Sequence, residues 1–350
     1  MKLASDNNGP VPEQVFEALR VANEGSRKAY GEDGITEEIS DIIREKFEAP
    51  EAAIYMVATG TAANSLALAT ITKPWETIFC TPCAHLNEDE CNAPEFYTGG
   101  SKLTLLDCDD KITPSALERA LSGLESRGVH GPQRGPVSLT QATEKGTVYS
   151  LAELDAIINV AKSHHLTVHM DGARFANALV SLNCTPADMT WKRGIDVVTL
   201  GCSKNGLMAA EVVIFFNPEY SWEFELRRKR GGHLFSKHRY LSAQIKGYFD
   251  GELWLKMAQQ ANQNANYLAA QLKQIDHVHF KYKQDANMMY VQFPRHIHQR
   301  AFNAGAYYYL RDGAVLNVGP ADELLTARLV CDWSISQTDI DLFIELIKGN

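Results

Sequence analysis

The chain has no apolar run of the roughly 18–20 residues that a membrane-spanning helix requires, and its first residues lack the apolar core of a signal peptide. Positive charge is also scarce: 34 lysines and arginines stand against 43 aspartates and glutamates, for a net charge of −9. Because the phosphates of nucleic acids bind basic surfaces, this balance argues against nucleic acid as the main partner. These absences predict a cytoplasmic protein that acts neither on a membrane nor on nucleic acid.

Paired cysteine clusters are missing as well. The seven cysteines are odd in number and irregularly spaced, which fits a reducing cytoplasm better than a disulfide framework. Cys80 and Cys83, followed by His85 and Cys91, resemble part of a zinc site. A structural zinc site usually brings a second paired cluster, and none follows in the sequence. We therefore predict no metal site and keep a Cys/His metal protein as an alternative that metal analysis would test.

The composition is that of a soluble globular protein, with 45% apolar and 22% charged residues. A chain of 350 residues exceeds the size at which one hydrophobic core usually stops growing, which favours two domains. We place a large α/β domain at residues 1–245 and a smaller C-terminal α+β domain at residues 246–350.

Short apolar runs alternate with amphipathic stretches through the first two thirds of the chain. Ser150 and Glu153 form a capping box at the start of one helix, and Thr338 with Asp341 is predicted to cap the last helix. The expected strands of the large domain cover residues 53–57, 77–80, 102–106, 137–140, 166–170 and 197–200. Strands separated by helices predict βαβ units and a mostly parallel sheet between helices.

An acid and a lysine each follow one of these apolar runs. Asp171 ends the run 166–170, and Lys204 follows the run 197–200 after a short turn. Because ligands of α/β sheets bind where the carboxyl ends of the strands converge, both groups are expected in one crevice. Pyridoxal 5′-phosphate (PLP) requires such a pair: a lysine forms a Schiff base with its aldehyde, and an acid keeps its pyridine nitrogen protonated. Either residue alone would be interpreted as a surface lysine or a turn residue, but the pair predicts a PLP enzyme.

A candidate phosphate site precedes this pair. Residues 58–64 follow the strand 53–57 and open a helical stretch. The free N–H groups and positive dipole end of a helix attract a phosphate, a threonine hydroxyl adds a donor, and Gly60 permits close backbone approach. Small residues at this position also serve capping and packing, so the Asp/Lys pair downstream is what favours a phosphate.

Six motifs follow one another along the chain: Tyr30-Gly31-Glu32-Asp33, residues 59–64, His85 with Glu90-Cys91, residues 141–144, residues 169–178 and Ser203-Lys204-Asn205-Gly206. In this order they resemble the threonine aldolases, and most closely the bacterial low-specificity L-threonine aldolases, over nearly the whole length of the chain. These enzymes belong to the β-eliminating lyase group of aspartate-aminotransferase-like, fold type I PLP enzymes. The resemblance implies that fold and a carbon–carbon lyase that cleaves L-threonine or L-allo-threonine to glycine and an aldehyde.

The resemblance also implies roles around the cofactor. Lys204 would hold PLP, Asp171 would pair with the pyridine nitrogen, and Arg174 would lie near the O3′ side. His85 would stack on the ring and relay a proton from the substrate hydroxyl. The remaining positions implied to bind the cofactor are Gly60, Thr61, Thr143 and Lys229.

Substrate binding is assigned in the same way. Arg328 would clamp the substrate carboxylate with a bidentate fork that lysine does not reproduce, and Ser5 would add a donor. Tyr30 and Lys229 would reach the site from a partner subunit, because the family builds its sites at a dimer interface. The resemblance therefore implies a homodimer or homotetramer.

One position departs from the family pattern. Some threonine aldolases carry a second histidine directly after the threonine that is Thr143 here, whereas this chain has Glu144. A general base at Glu144 would need a pKa raised by burial. The alternative interpretation is a surface residue beside Lys145, so the sequence leaves the base for the β-hydroxyl proton open.

Two other functions remain as alternatives. A different fold type I PLP enzyme, such as a β-eliminating amino-acid lyase or an aminotransferase, would share the same cofactor residues but would release pyruvate and ammonia or require a keto acid. A non-catalytic binding protein with the same fold is disfavoured by Lys204, Asp171 and Arg328, because an inactive scaffold need not retain all three.

Overall fold

The computed structural model describes residues 1–125 and 127–349. The helices are α1 (Glu13–Ala22), α2 (Gly34–Lys46), α3 (Gly60–Ile71), α4 (His85–Glu88), α5 (Ala93–Thr98), α6 (Pro114–Glu125), α7 (Leu151–Ser163), α8 (Phe175–Leu182), α9 (Pro186–Met189), α10 (Ser221–Arg230), α11 (Arg239–Phe249), α12 (Leu253–Leu272), α13 (Arg295–Asn303) and α14 (Gln337–Lys348). The strands are β1 (Ala53–Val57), β2 (Glu76–Cys80), β3 (Lys102–Leu105), β4 (Gln133–Thr140), β5 (Val168–Gly172), β6 (Val197–Leu200), β7 (Glu211–Phe215), β8 (His279–Phe280), β9 (Met288–Pro294), β10 (Tyr309–Leu310) and β11 (Leu324–Val330).

Seven strands form the larger sheet in the order β1-β7-β6-β5-β4-β2-β3. The pairs from β3 through β6 are parallel, whereas β7 is antiparallel to both β6 and β1. The residues of β5, β6 and β7 are buried throughout, as expected for strands covered on both faces. The predicted α/β class with a mostly parallel sheet is confirmed.

Local sequence signals explain where several of these elements begin. Ser150 and Glu153 make both bonds of the predicted capping box at the start of α7. The predicted cap of the last helix was wrong: α14 begins at Gln337, and the Ser336 hydroxyl accepts the N–H of Asp339 at 3.1 Å. Ser336 and Thr338 are both good capping residue types, and the serine lies three residues before the N–H that it satisfies.

The smaller sheet is antiparallel, in the order β10-β11-β9-β8. Its own core includes Val291, Phe293 and Phe343, and Leu3 from the start of the chain packs into it. Helix α12 connects the two cores, because Trp254 packs in the larger one and residues near its end pack in the smaller one. The division at residues 245 and 246 stays a prediction.

No helix in the two described ranges is long and apolar enough to cross a membrane.

Candidate active site

A cavity of about 360 Å³ opens where β5 and β6 end, beside the first turn of α3. Its volume lies in the range of small-molecule sites. Five residues singled out from the sequence line it: Gly60, Thr61, His85, Asp171 and Lys204. The lining also includes residues for which no individual role was predicted, among them Asn7, Asn64, Thr199, Ser203 and Glu211.

The first turn of α3 presents backbone N–H groups at one end of this cavity. Thr59 caps the helix, and its hydroxyl accepts the N–H of Ala62 at 3.1 Å. A Cβ atom added to Gly60 would meet nothing within 4 Å, so the space beside this turn is open. A helix N-terminus with open space in front of it suits a phosphate group.

Asp171 lies at the carboxyl end of β5 and is 3% exposed. Its Oδ1 accepts the N–H of Ala173 at 2.9 Å, and its Oδ2 accepts a hydrogen bond from Asn64 Nδ2 at 2.9 Å. A carboxylate has about four acceptor positions, so both oxygens can take a further donor. Asp171 can therefore accept the N–H of a protonated pyridine without losing its protein partners.

His85 begins α4 and faces the cavity with one ring nitrogen already engaged. Its Nδ1 bonds Glu90 Oε1 at 2.8 Å, which leaves Nε2 available to a ligand. The hydrogen bond to Glu90 raises the pKa of His85, with burial opposing it. Glu90 itself is buried, and burial raises the pKa of its carboxyl group. The pair can hold a proton at the edge of the cavity.

Lys204 lies on a short 3₁₀ turn, Ser203–Asn205, directly after β6. The antiparallel β7 brings Glu211 to the same end of the sheet, and Glu211 Oε2 accepts the N–H groups of Cys202 at 2.6 Å and Ser203 at 3.4 Å. Burial raises the pKa of Glu211, whereas these bonds and the charge of Lys204 oppose the shift. Glu211 therefore anchors the turn that carries the lysine.

We expect Glu211→Ala to lower the free energy of unfolding by about 1–3 kcal/mol, because two backbone N–H groups at a buried turn lose their acceptor. Glu211→Gln keeps a carbonyl oxygen and should lose less. Urea unfolding of both variants measures the effect, and Glu51→Ala, at an exposed position, is the matched control. Equal losses in the alanine and glutamine variants would contradict the anchoring role.

Arg174 is not among the described residues that line the cavity. Its guanidinium forms a buried ion pair with Asp6, with Nε–Oδ2 at 2.7 Å and Nη2–Oδ1 at 3.1 Å. Asn287 Nδ2 also donates to Asp6 Oδ2, at 3.2 Å. Although burial opposes it, the charge of Arg174 lowers the pKa of Asp6. The pair ties the N-terminal 3₁₀ turn, Asp6–Asn8, to the segment that follows Asp171.

Arg328 lies on β11, close enough to Arg174 for their charges to interact. Its Nη2 donates to the backbone oxygen of Ala4 at 3.0 Å, while its buried Nε has no partner among the described residues. Burial lowers the pKa of Arg328, and the positive charges of Arg311 and Arg174 lower it further. Ser5, next to Ala4, accepts the N–H of Asn7 through its hydroxyl at 3.2 Å.

Thr143 and Glu144 follow the end of β4, and neither is among the described lining residues. The Thr143 hydroxyl donates to Asp110 Oδ2 at 2.8 Å, and the backbone oxygen of Glu144 accepts from Tyr290 Oη at 3.2 Å. Burial raises the pKa of the half-buried Glu144, with the positive charge of Lys204 opposing. Glu144 thus interacts electrostatically with Lys204 although it is not among the described residues that line the main cavity.

Tyr30 and Lys229 lie elsewhere in the same chain. They line a separate cavity of about 630 Å³, with Lys229 Nζ 4.8 Å from the centre of the Tyr30 ring. The chain by itself does not bring them to Lys204.

No group of three or more histidine, cysteine, aspartate or glutamate residues in the described ranges is arranged to hold a metal ion. Of the candidate zinc ligands, Cys80 is buried, Cys83 donates to the backbone oxygen of Asp109 at 3.2 Å, and His85 is bonded to Glu90.

The family model of the β-eliminating lyases matches residues 2–294. The chain belongs to the β-eliminating lyase family. A low specificity L-threonine aldolase from Pseudomonas aeruginosa is 37% identical, and the match covers 99% of this chain and 96% of that protein. A protein of the same name from Pseudomonas sp. is 36% identical, with 97% and 94% covered.

Solved structures place this β-eliminating lyase in fold type I. A threonine aldolase from Leishmania major has a TM-score of 0.91 at 24% identity, over 99% of this chain and 98% of that one. A serine palmitoyltransferase from S. paucimobilis with bound PLP has a TM-score of 0.69 at 16% identity, over 100% and 86%. The predicted fold type I architecture is confirmed.

Three polar residues that hold the site of this lyase together were not predicted from the sequence: Asp6, Asn64 and Glu211. Asn64 belongs to the motif at residues 59–64 and Asp6 is next to Ser5, but nothing in the sequence shows which side chains they contact. Glu211 carries a clearer signal, because it is an acid at the start of the apolar run Glu211–Phe215. A charged residue at the end of a buried strand calls for a partner.

Proposed function

We propose that the protein is a PLP-dependent aldolase that cleaves β-hydroxy-α-amino acids at the Cα–Cβ bond to give glycine and an aldehyde. The observation that supports it most is the single cavity that contains Lys204, Asp171 and the first turn of α3. Relatives named low specificity L-threonine aldolase match nearly the whole chain, which favours this reaction over β-elimination or amino transfer.

The residues around the cavity fit PLP in charge and in arrangement. The amine of Lys204 suits its aldehyde, the carboxylate of Asp171 suits its pyridine nitrogen, and the open space at Gly60 suits its phosphate. His85 would lie against its ring. When bound, PLP supplies an electron sink for the electron pair released at Cα.

The chain's own residues would bind and orient the substrate. Arg328 and nearby Arg174 provide positive charge for the α-carboxylate, and Ser5 adds a donor. The buried Nε of Arg328 has no partner within the described residues, so it can bind such a ligand. Binding at the carboxylate and at the cofactor fixes the direction of the Cα–Cβ bond. Positioning of this kind can contribute on the order of 7–11 kcal/mol in favourable cases.

His85 is our first candidate for moving the β-hydroxyl proton, because its Nε2 is available while Glu90 holds Nδ1. Glu144 is the second candidate, because burial raises the pKa of its carboxyl towards the range of a general base. His85 is favoured because it lines the main cavity, whereas Glu144 is not among the described lining residues.

We further propose a homodimer or homotetramer in the cytoplasm. Tyr30 and Lys229 are implied by the family resemblance to reach a neighbouring site, and their separate cavity within one chain is consistent with that arrangement.

Thr143 would help to place the loop beside the cofactor through its hydrogen bond to Asp110. The division into domains at residues 1–245 and 246–350 is part of the same proposal, with two separate cores in its support.

Incubation of the PLP-loaded protein with L-threonine, L-allo-threonine and phenylserine tests the function. We expect aldehyde and glycine in equal amounts from at least one of them, with the relative kcat/KM values ranking the substrates. Formation of ammonia with 2-oxobutanoate from threonine or phenylpyruvate from phenylserine, or turnover that depends on an added keto acid, would instead identify a β-eliminating lyase reaction or an aminotransferase. A purified protein that contains zinc and binds no PLP would overturn the cofactor assignment.

A further inference from the structure

We propose that Asn64 is a positioning residue that couples the His85–Glu90 pair to Asp171 and so links the protonation of the two sides of the cofactor site. The inference rests on the proposed function, and it adds a residue to which neither the sequence motifs nor the family resemblance assigned a role.

Asn64 makes all of its side-chain hydrogen bonds to buried residues of the site. It lies in α3, at the end of the segment 58–64 that forms the candidate phosphate site, and is 3% exposed. Its Nδ2 donates to Glu90 Oε1 and to Asp171 Oδ2, each at 2.9 Å, and its Oδ1 accepts from Thr199 Oγ1 at 2.7 Å. The amide therefore uses both of its N–H groups and its oxygen inside the protein.

These partners fix the orientation of the amide. In the opposite orientation, the amide oxygen would lie 2.9 Å from two carboxylate oxygens, which accept hydrogen bonds and do not donate them when ionised. The hydroxyl of Thr199 supplies the donor that the amide oxygen needs. Thr199 and Asp171 are register partners on β6 and β5, so the sheet itself holds two of the three contacts in place.

The contacts form a continuous chain across the site. His85 Nδ1 bonds Glu90 Oε1 at 2.8 Å, the same Glu90 oxygen accepts from Asn64, and Asn64 donates in turn to Asp171. The other oxygen of Glu90 is buried and has no partner among the described residues, so Glu90 depends on these two donors. One amide thus stabilises the negative charge on both carboxylates at once.

Other charges act on His85 as well. Besides Glu90, the groups that influence it are Asp171 and Glu144, which favour its charged form, and Lys204, which opposes it. A donor that stabilises an ionised carboxylate lowers the pKa of that carboxyl group. When the His85–Glu90 pair is deprotonated, Glu90 carries a negative charge that the Asn64 amide stabilises. Removal of the amide destabilises this state and should therefore raise the apparent pKa of the pair.

The test compares the holoenzyme with Asn64→Leu, which keeps a similar volume, and with Thr199→Val, which removes the hydroxyl that orients the amide. We expect the apparent pKa seen in the pH dependence of kcat/KM to rise by about half to one pH unit in Asn64→Leu, the size that corresponds to one hydrogen bond. The pH titration of the bound PLP absorbance should shift too. Thr199→Val should give smaller shifts in the same direction.

Ser65→Ala is the matched control, because Ser65 is the buried neighbour of Asn64 in α3 and its hydroxyl has no described partner. We expect its pH titrations to match the wild type. Lower activity in Asn64→Leu and Thr199→Val with unchanged pH titrations would overturn the coupling and leave a packing role. If Asn64→Leu does not fold, unchanged pH titrations in Thr199→Val are by themselves sufficient to overturn the coupling.

The PLP absorbance separates this proposal from the proposed function. A wild-type protein that binds PLP but releases no aldehyde would contradict the aldolase assignment, while a shifted absorbance titration in the two variants would still support the coupling. Aldehyde release by the wild type with identical titrations in all variants would sustain the aldolase and refute the role of Asn64.

Discussion

Replacing Lys204 by alanine is expected to abolish aldehyde release from L-threonine, with a loss in kcat of at least about 10⁴-fold, the scale seen when a covalent catalytic group is removed. Lys204 supplies the amine expected to form the Schiff base, and Glu211 holds its turn at the end of β6. No other lysine lines the cavity in the described part of the chain, so no neighbour can take its place.

The measurement is aldehyde and glycine release under saturating PLP, together with the absorbance of the cofactor. Lys192→Ala is the control, because Lys192 is exposed and its Nζ contacts Glu48 at 2.7 Å. We expect this variant to keep wild-type activity. Partial recovery of Lys204→Ala by an added small primary amine would support the chemical role, because the amine replaces the lost group. Activity within tenfold of the wild type would refute the assignment of Lys204.

Much of the fold follows from local sequence patterns. The strand at residues 53–57 was predicted with its observed bounds, because strands buried on both faces are continuous apolar runs. The position of β7 was not predicted. Its run Glu211–Phe215 looks like its neighbours, and nothing local tells the chain direction within a sheet. That direction matters here, because it brings Glu211 to the lysine turn.

The candidate site was predictable to the extent that its residues end strands or begin helices. Asp171, Lys204 and Gly60 were placed together by the rule that strand ends converge. Their supports, Asn64 and Glu211, were not, since a hydrogen bond between residues far apart in sequence depends on packing. Arg174 shows the same limit, because its buried pair with Asp6 joins positions that are 168 residues apart in the sequence.

Asp171→Asn is expected to reduce kcat on the order of 10²–10³-fold, the usual cost of removing one preorganised electrostatic partner of a developing charge. The change keeps the shape of the side chain but removes its negative charge, so a protonated pyridine would lose its partner. In the wild type, the N–H of Ala173 and the Nδ2 of Asn64 contact different oxygens of Asp171. The asparagine variant leaves a single oxygen for these two donors.

Two measurements separate the lost charge from the disturbed hydrogen bonds. One is the affinity for PLP, obtained by titration with the cofactor, and the other is kcat for L-threonine at saturating PLP. Asp41→Asn is the control, because Asp41 is exposed and contacts Arg44 on the surface of α2 at 2.8 Å. A drop in kcat that persists at saturating PLP assigns the charge of Asp171 to the chemical step. A variant that keeps more than a tenth of wild-type kcat would show that this charge is dispensable, and the electron sink would then have to be maintained without a carboxylate at the end of β5.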